Sequence, residues 1–215
     1  MNESSEMPLL SHLGELRRRL IVSLLAVAVA FVFTYSFSEA IYSFLLAPLI
    51  PALPDEHRFM AFTGLVEPFF TYLKVGVAAA VLVSSPVVLY EVWAFIVPAL
   101  LEKERRYLLP VIFFSVLLFS GGVFFAYYVV FPAAFKYLMS YSGPELRPVL
   151  SMTEYFSFII KLLLAFGICF QVPLVMLVLS RIGIASARSF LRWWRYALLL
   201  AVVFGAVLTP PDVIS

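Results

Sequence analysis

The residues of this chain that could do chemistry are a few acids set among bases, and no catalytic constellation surrounds them. His12 and His57 are the two histidines, and neither has a second metal ligand at the spacing of a zinc site. Motifs that mark serine hydrolases, nucleotide-binding loops and zinc proteases are missing from the sequence. We therefore expect a protein that is not an enzyme and that needs no cofactor or metal.

The first of these acids is Glu15, which lies two residues before a run of three arginines, Arg17 to Arg19. Leucines recur around it at the i, i+3 and i+7 spacing of an amphipathic helix: Leu13, Leu16 and Leu20. On such a helix Glu15 can form an ion pair with Arg18 or Arg19, about one turn away. A second acid, Glu104, lies in the polar segment 101–106, which is typical of a water-soluble turn. From spacing alone, both acids are ordinary solvated charges.

The composition excludes a water-soluble globular protein. Hydrophobic residues make up 63% of the 215 residues and charged residues only 13%, whereas a soluble domain carries about a quarter charged residues. Most of this apolar surface must therefore face lipid. The single cysteine, Cys169, lies in an apolar run, where it is typical of a packing residue, and it leaves no partner for an intramolecular disulfide.

Apolar runs mark the expected membrane-spanning helices, which must cross a hydrocarbon layer of roughly 30 Å. Five such runs cover residues 20–37, 69–90, 108–131, 155–180 and 194–208. The third contains Gly121 and Gly122, whose small size allows a neighbouring helix to approach, and the fourth is interrupted by Gln171 and Pro173. We predict an all-α, polytopic transmembrane helical bundle that forms one domain over residues 1–215.

The distribution of basic residues predicts the orientation of these helices. Ten lysines and arginines lie before span one, between spans two and three and between spans four and five, against three in the segments on the other side. Since cytoplasmic segments carry the excess of Lys and Arg, the N-terminus is expected in the cytoplasm. Segment 39–68, on the outer side, contains four prolines and is expected to be bent and partly helical.

A few polar side chains fall within or beside the predicted spans and need a partner or water there: Lys74, Lys161, Gln171 and Glu67. Both lysines lie within about two turns of the outer boundary, so they either extend their ammonium groups to the headgroups or pair with Glu67 and Glu154. Gln171 can satisfy a carbonyl freed by Pro173, or it can contact a neighbouring helix. The sequence leaves these alternatives open.

Taken together, the motifs resemble those of the TatC family, the receptor subunit of twin-arginine protein translocases. The segment 8–20, Pro-Leu-Leu-Ser-His-Leu-Gly-Glu-Leu-Arg-Arg-Arg-Leu, resembles the family signature H-L-x-E-L-R-x-R. The stretch 85–101, followed by Glu104-Arg105-Arg106, is similar to the first cytoplasmic loop of the family. Two further blocks are matched by residues 165–173 and 208–212. The resemblance covers nearly the whole chain, in order.

The resemblance implies a cupped protein of six transmembrane helices in the bacterial inner membrane, with a sixth span beyond the five found here. Such a protein receives folded cargo by its twin-arginine signal peptide and uses the proton-motive force for export. It assembles with TatB-like and TatA-like single-span proteins, and it is expected to form a homo-oligomer within the receptor complex. Nucleic acid is not an expected partner.

The resemblance also assigns roles to individual residues. The two glutamates that recognise the paired arginines match Glu15 and Glu104, and the same signal-peptide surface includes Arg17, Phe95 and Arg105. Structural or partner-helix positions match Pro48, Pro86, Gln171 and Asp212. Carboxylates suit this task because guanidinium groups form charge-assisted, often bidentate hydrogen bonds that lysine cannot reproduce. Many relatives carry a glutamate where this chain has Gln171, which cannot titrate.

A second function fits the polar residues of the predicted spans. A small-solute secondary transporter could use Lys74, Lys161 and Gln171 as a binding site near the middle of the membrane. The sequence contains no internal repeat, which weighs against this alternative.

Overall fold

The computed structural model describes residues 6–53, 60–62, 64–96, 108–141, 150–181 and residue 205. Within these ranges the chain is helical, with one isolated parallel bridge between Ala61 and Ser151 and no longer strand. The predicted all-α, multi-span class is therefore confirmed. The fifth predicted span, residues 194–208, lies outside the described residues apart from Gly205.

The helices follow one another along the chain as α1 (Glu6–Ser36), α2 (Ser38–Leu46), α3 (Glu67–Ile96), α4 (Leu108–Phe125), α5 (Phe131–Met139), α6 (Met152–Cys169) and α7 (Val172–Arg181). A 3-10 turn, Ile50–Ala52, follows α2, and a π-helical segment, Ala126–Val130, joins α4 to α5. Four helical runs in the described part are long and apolar enough to cross a membrane: His12–Ser36, Glu67–Ile96, Leu109–Met139 and Met152–Arg181.

These helices are longer than the apolar runs that predicted them. Helix α1 begins at Glu6, so the amphipathic entry segment and the first span form one continuous helix. Helix α3 continues to Ile96, beyond the predicted end at residue 90. The third run ends at Met139 rather than at residue 131. Hydropathy marks only the part of a helix that suits hydrocarbon, whereas backbone hydrogen bonding continues into the polar flanks.

By its internal contacts the chain divides into two compact units, Met1–Tyr42 with Tyr72–Leu117, and Ser43–Thr71 with Leu118–Ser215. In the first unit, α1 packs closely on α3. The Thr34 hydroxyl donates a hydrogen bond of 2.8 Å to the carbonyl oxygen of Gly76. A Cβ at Gly76 would lie 3.3 Å from the Phe31 ring and 3.4 Å from Tyr35, so the glycine sets the helix separation there.

Helix α3 passes through Pro86 without ending. Proline has no N–H and cannot bond to the carbonyl four residues earlier, which belongs to Leu82. The Ser85 hydroxyl donates to that carbonyl at 2.7 Å and replaces the missing bond. Pro86, predicted to be a structural position, therefore lies inside a helix, and the Ser85 hydroxyl compensates for its missing N–H.

In the second unit, α4 and α6 touch through two glycines. A Cβ at Gly122 would lie 2.5 Å from the carbonyl oxygen of Phe166, and a Cβ at Gly167 would lie 2.7 Å from the Phe119 ring. A Cβ at Gly121, in contrast, would meet nothing within 4 Å in the described part of the chain. The prediction that this glycine pair permits close helix contact is confirmed for Gly122.

Two tyrosines fix the end of α2 in the same unit. The Tyr127 hydroxyl donates to the carbonyl of Phe44 at 2.6 Å, and the Tyr155 hydroxyl donates to that of Leu45 at 2.9 Å. These carbonyls belong to the last turn of α2, where helix geometry leaves acceptors without intrahelical partners. Half-buried Pro48 lies two residues beyond the end of α2, in the turn that leads to the 3-10 segment. Over its described residues, segment 39–68 is bent and partly helical, as predicted.

The fourth span is interrupted where the sequence predicted. Helix α6 ends at Cys169, a turn covers Phe170 and Gln171, and α7 begins at Val172. Pro173 lies in the first turn of α7, where its missing N–H costs no intrahelical bond. Gln171 is half-buried at the break.

Candidate functional site

The site is built from α1 and α3 of the first unit. Helix α1 carries His12, Glu15 and Arg19 at positions i, i+3 and i+7, which places them on one helix face. Helix α3 carries Glu91 and Phe95 four residues apart, also on one face. Arg19 contacts Glu91, and His12 contacts Phe95, so the two helix faces meet. The five side chains form one cluster of two acids, two aromatic rings and one guanidinium.

Arg19 joins the two carboxylates of this cluster. Its Nε and Nη2 atoms donate to Oε1 of Glu15 at 3.1 and 2.6 Å. Its Nη1 atom donates to Oε2 of Glu91 at 3.0 Å. The three side chains are 23%, 34% and 13% exposed for Arg19, Glu15 and Glu91 respectively, so this is a partly desolvated bridge rather than a fully solvated ion pair.

The bridge of Glu15, Arg19 and Glu91 has a net negative charge. Two carboxylates share one guanidinium, which gives the trio a formal charge of −1. Both contacts to Glu15 fall on Oε1, and the contact to Glu91 falls on Oε2, so Oε2 of Glu15 and Oε1 of Glu91 take no part in the bridge. A carboxylate oxygen at a partly exposed position can accept hydrogen bonds from a second guanidinium.

An aromatic stack lies beside the charged bridge. The rings of His12 and Phe95 have centroids 4.4 Å apart and an interplanar angle of 19°. His12 is exposed and Phe95 is half-buried.

The opposite side of α3 is anchored to α4. Trp93 lies midway between Glu91 and Phe95 in sequence and therefore on the other side of the helix. Its indole Nε1 donates a hydrogen bond of 3.0 Å to the Ser115 hydroxyl, and both side chains are buried. This contact holds one face of α3 against α4, while Glu91 and Phe95 on the opposite face contact α1.

The structure brings together part of the predicted signal-peptide surface. Glu15 and Phe95 both belong to the cluster, and Arg17 is exposed on α1. Of the two alternatives for the ion pair of Glu15, the structure selects Arg19. The remaining predicted residues, Glu104, Arg105 and Asp212, lie outside the described residues.

Sequence reasoning missed Glu91 as a member of the site. The signal was present, because an acid in the otherwise apolar stretch of residues 87–97 needs a cationic or hydrogen-bonding partner. Glu91 also stands four residues before Phe95, which shares its helix face. The partner could not be named, since Arg19 is 72 residues away in sequence.

The polar residues at the predicted outer boundary separate into two kinds. Lys74 on α3 and Lys161 on α6 are exposed, as side chains that extend to the headgroups would be. Glu67 instead accepts hydrogen bonds from the backbone N–H of Thr153 at 3.0 Å and from the hydroxyl of Ser151 at 3.4 Å. Glu67 thus caps the start of α6.

The described residues include no group of three His, Cys, Asp or Glu side chains that could hold a metal ion. The chemistry that the cluster offers is recognition of a cation by oxygen acceptors. Guanidinium is the cation that it already accommodates, through Arg19.

Comparison with known proteins identifies the family. The family model TatC, Sec-independent protein translocase protein, matches residues 11–215. The chain is 42% identical to TatC of Desulforapulum autotrophicum over 99% of this chain and 78% of that protein. It is 41% identical to TatC of Escherichia coli over 100% of this chain and 83% of that protein. A crystal structure of the twin-arginine translocase receptor TatC in DDM matches with a TM-score of 0.85 at 34% identity, covering 94% of this chain and 89% of that one. The chain therefore belongs to the TatC family of integral-membrane protein translocase components, which are not enzymes.

Proposed function

We propose that this chain, as one TatC-like domain, is the signal-peptide receptor and core membrane component of a twin-arginine translocase, which exports folded proteins with the proton-motive force. The observation that carries the proposal is the Glu15 carboxylate, which is partly exposed and already binds a guanidinium of its own chain. Family membership supports the same role, since a solved relative is described as the twin-arginine translocase receptor.

In this proposal Glu15 and Glu104 each take one of the paired arginines. Successive side chains of an extended peptide point to opposite sides, so two adjacent arginines need acids from two separate segments. Each guanidinium forms charge-assisted hydrogen bonds to its carboxylate. Phe95 offers an aromatic face beside Glu15, and Arg17 and Arg105 complete the surface.

The receptor works with other subunits of the translocase. TatB-like and TatA-like single-span proteins are the proposed partners, together with further copies of this chain. Gln171, half-buried at the break between α6 and α7, is proposed to hydrogen-bond a polar residue of a partner helix. A glutamine keeps donors and an acceptor but carries no charge, so this contact does not depend on proton transfer.

The proposed location is the bacterial inner membrane, with the N-terminus in the cytoplasm. The excess of ten basic residues over three in the segments assigned to that side supports this orientation. The cluster of Glu15, Arg19 and Glu91 then lies near the cytoplasmic surface, where a signal peptide arrives before export.

Crosslinking to a twin-arginine signal peptide in native membranes tests the assignment. Separate Glu15→Gln and Glu104→Gln variants should each lose most of the crosslinking, because an amide is neutral and binds guanidinium more weakly. Glu154→Gln, an exposed acid in the second unit, serves as the matched control and should crosslink like the parent. Undiminished crosslinking in both of the first two variants, at equal amounts of inserted protein, would contradict the roles proposed for the pair.

The transporter alternative gains no support from the described residues. Lys74 and Lys161 are both exposed on the surfaces of their helices. A solute site near the middle of the membrane requires ionisable groups that face the protein interior or a water-filled cavity.

A further inference from the structure

Arg19 divides its hydrogen bonds between two acids in an unusual way. Arginine and carboxylate commonly pair with two parallel N–H···O bonds, one to each carboxylate oxygen. Here Nε and Nη2 both bond to the same oxygen of Glu15, and Nη1 bonds to Glu91. Glu15 therefore keeps one oxygen outside the pairing with its own arginine.

We propose that Glu91 keeps Glu15 available to the signal peptide by holding part of the Arg19 guanidinium, which would otherwise neutralise Glu15 completely. This inference rests on the proposed function, in which Glu15 binds a peptide arginine. It makes Glu91 a positioning residue, since it acts on the peptide through Arg19 and Glu15.

The charges of the cluster support this arrangement. Glu15 and Arg19 alone form a neutral i, i+4 pair on one helix face. A neutral pair attracts an incoming cation weakly, and the peptide would have to displace Arg19 first. With Glu91 included the trio carries a formal charge of −1, which a peptide guanidinium can neutralise without displacing Arg19.

The burial of Glu91 fits a positioning role. It is the least exposed of the three side chains, at 13%, whereas Glu15 is 34% exposed. The carboxylate that meets the peptide is thus the more accessible one, and the carboxylate that holds Arg19 is the more enclosed one. On the opposite side of α3, Trp93 is hydrogen-bonded to Ser115, which anchors the helix that carries Glu91.

The test measures the affinity of a fluorescent twin-arginine signal peptide for the full chain in lipid nanodiscs, for four variants. Glu91→Gln should weaken binding by about tenfold, since Arg19 loses a charge-assisted bond and closes on Glu15. The double variant Arg19→Gln with Glu91→Gln should recover most of the lost affinity, because the competing guanidinium is gone. Glu15→Gln should abolish specific binding, and Glu154→Gln should bind like the parent.

The double variant separates positioning from a merely structural bridge. If the bridge only held α1 to α3, removing both Arg19 and Glu91 would bind no better than Glu91→Gln alone, and that result would overturn the inference. Parent-like binding by Glu91→Gln would overturn it as well. If Glu15→Gln retained full binding, the proposed function itself would fail, which is a different outcome from failure at Glu91.

Discussion

At the scale of single residues, the α1–α3 site depends on hydrogen bonds that fix where each charged group points. Arg19 reaches two acids that are four and 72 residues away in sequence. Spacing predicts that Glu15 pairs with either Arg18 or Arg19, because helix geometry brings positions i+3 and i+4 close to i, and the structure selects Arg19. The distant partner, Glu91, could not be predicted, because its position depends on how α1 and α3 pack.

The Trp93–Ser115 bond gives a prediction at this scale. Ser115→Ala leaves the buried indole N–H without an acceptor, which should destabilise the protein by about 1–3 kcal/mol. Thermal unfolding of the purified protein in detergent measures this change. Ser36→Ala is the control, since the exposed Ser36 hydroxyl donates to the carbonyl of Val32 in its own helix. Equal melting temperatures for the two variants would show that the buried bond does not stabilise the fold.

At the scale of elements, small residues decide how closely the helices approach one another. The sequence predicted the helices and the break in the fourth span, because apolar length and proline act locally. It placed two adjacent glycines at a helix contact without distinguishing them. Which of the two faces α6 depends on the rotation of α4, and only Gly122 meets the backbone of Phe166.

Alanine substitutions at Gly121 and Gly122 provide a matched test of helix packing. Gly122→Ala should destabilise the protein by about 1–3 kcal/mol, since its Cβ would lie 2.5 Å from the Phe166 carbonyl oxygen and the helices must separate. Gly121→Ala adds the same methyl group in open space and should leave stability unchanged or slightly raise it, because alanine favours the helix. Melting temperatures of the two variants in one detergent provide the measurement. An equal loss in both variants would contradict the packing described here.

At the scale of the whole molecule, composition and motif order determine the class, and the family match establishes the membership. A chain with 63% hydrophobic and 13% charged residues belongs in a membrane, and the described helices are long enough to cross one. Sequence spacing alone does not distinguish Glu15 and Glu104 from ordinary solvated acids. Their proposed role in binding arginine comes from the family resemblance. The structure adds a resident guanidinium and a third acid beside Glu15.

In the proposed function this chain recognises arginine, not merely positive charge, through the Glu15 carboxylate. The most direct measurement compares the affinities of two signal peptides, one with Arg-Arg and one with Lys-Lys, for the parent and for Glu15→Gln in lipid nanodiscs. The parent should prefer the Arg-Arg peptide by about tenfold or more, because a planar guanidinium can direct two N–H donors at one carboxylate oxygen, as Arg19 does, and is more weakly hydrated than an ammonium. Glu15→Gln should lose most of this preference. Equal affinity of the parent for both peptides, or an unchanged preference in Glu15→Gln, would contradict the claim.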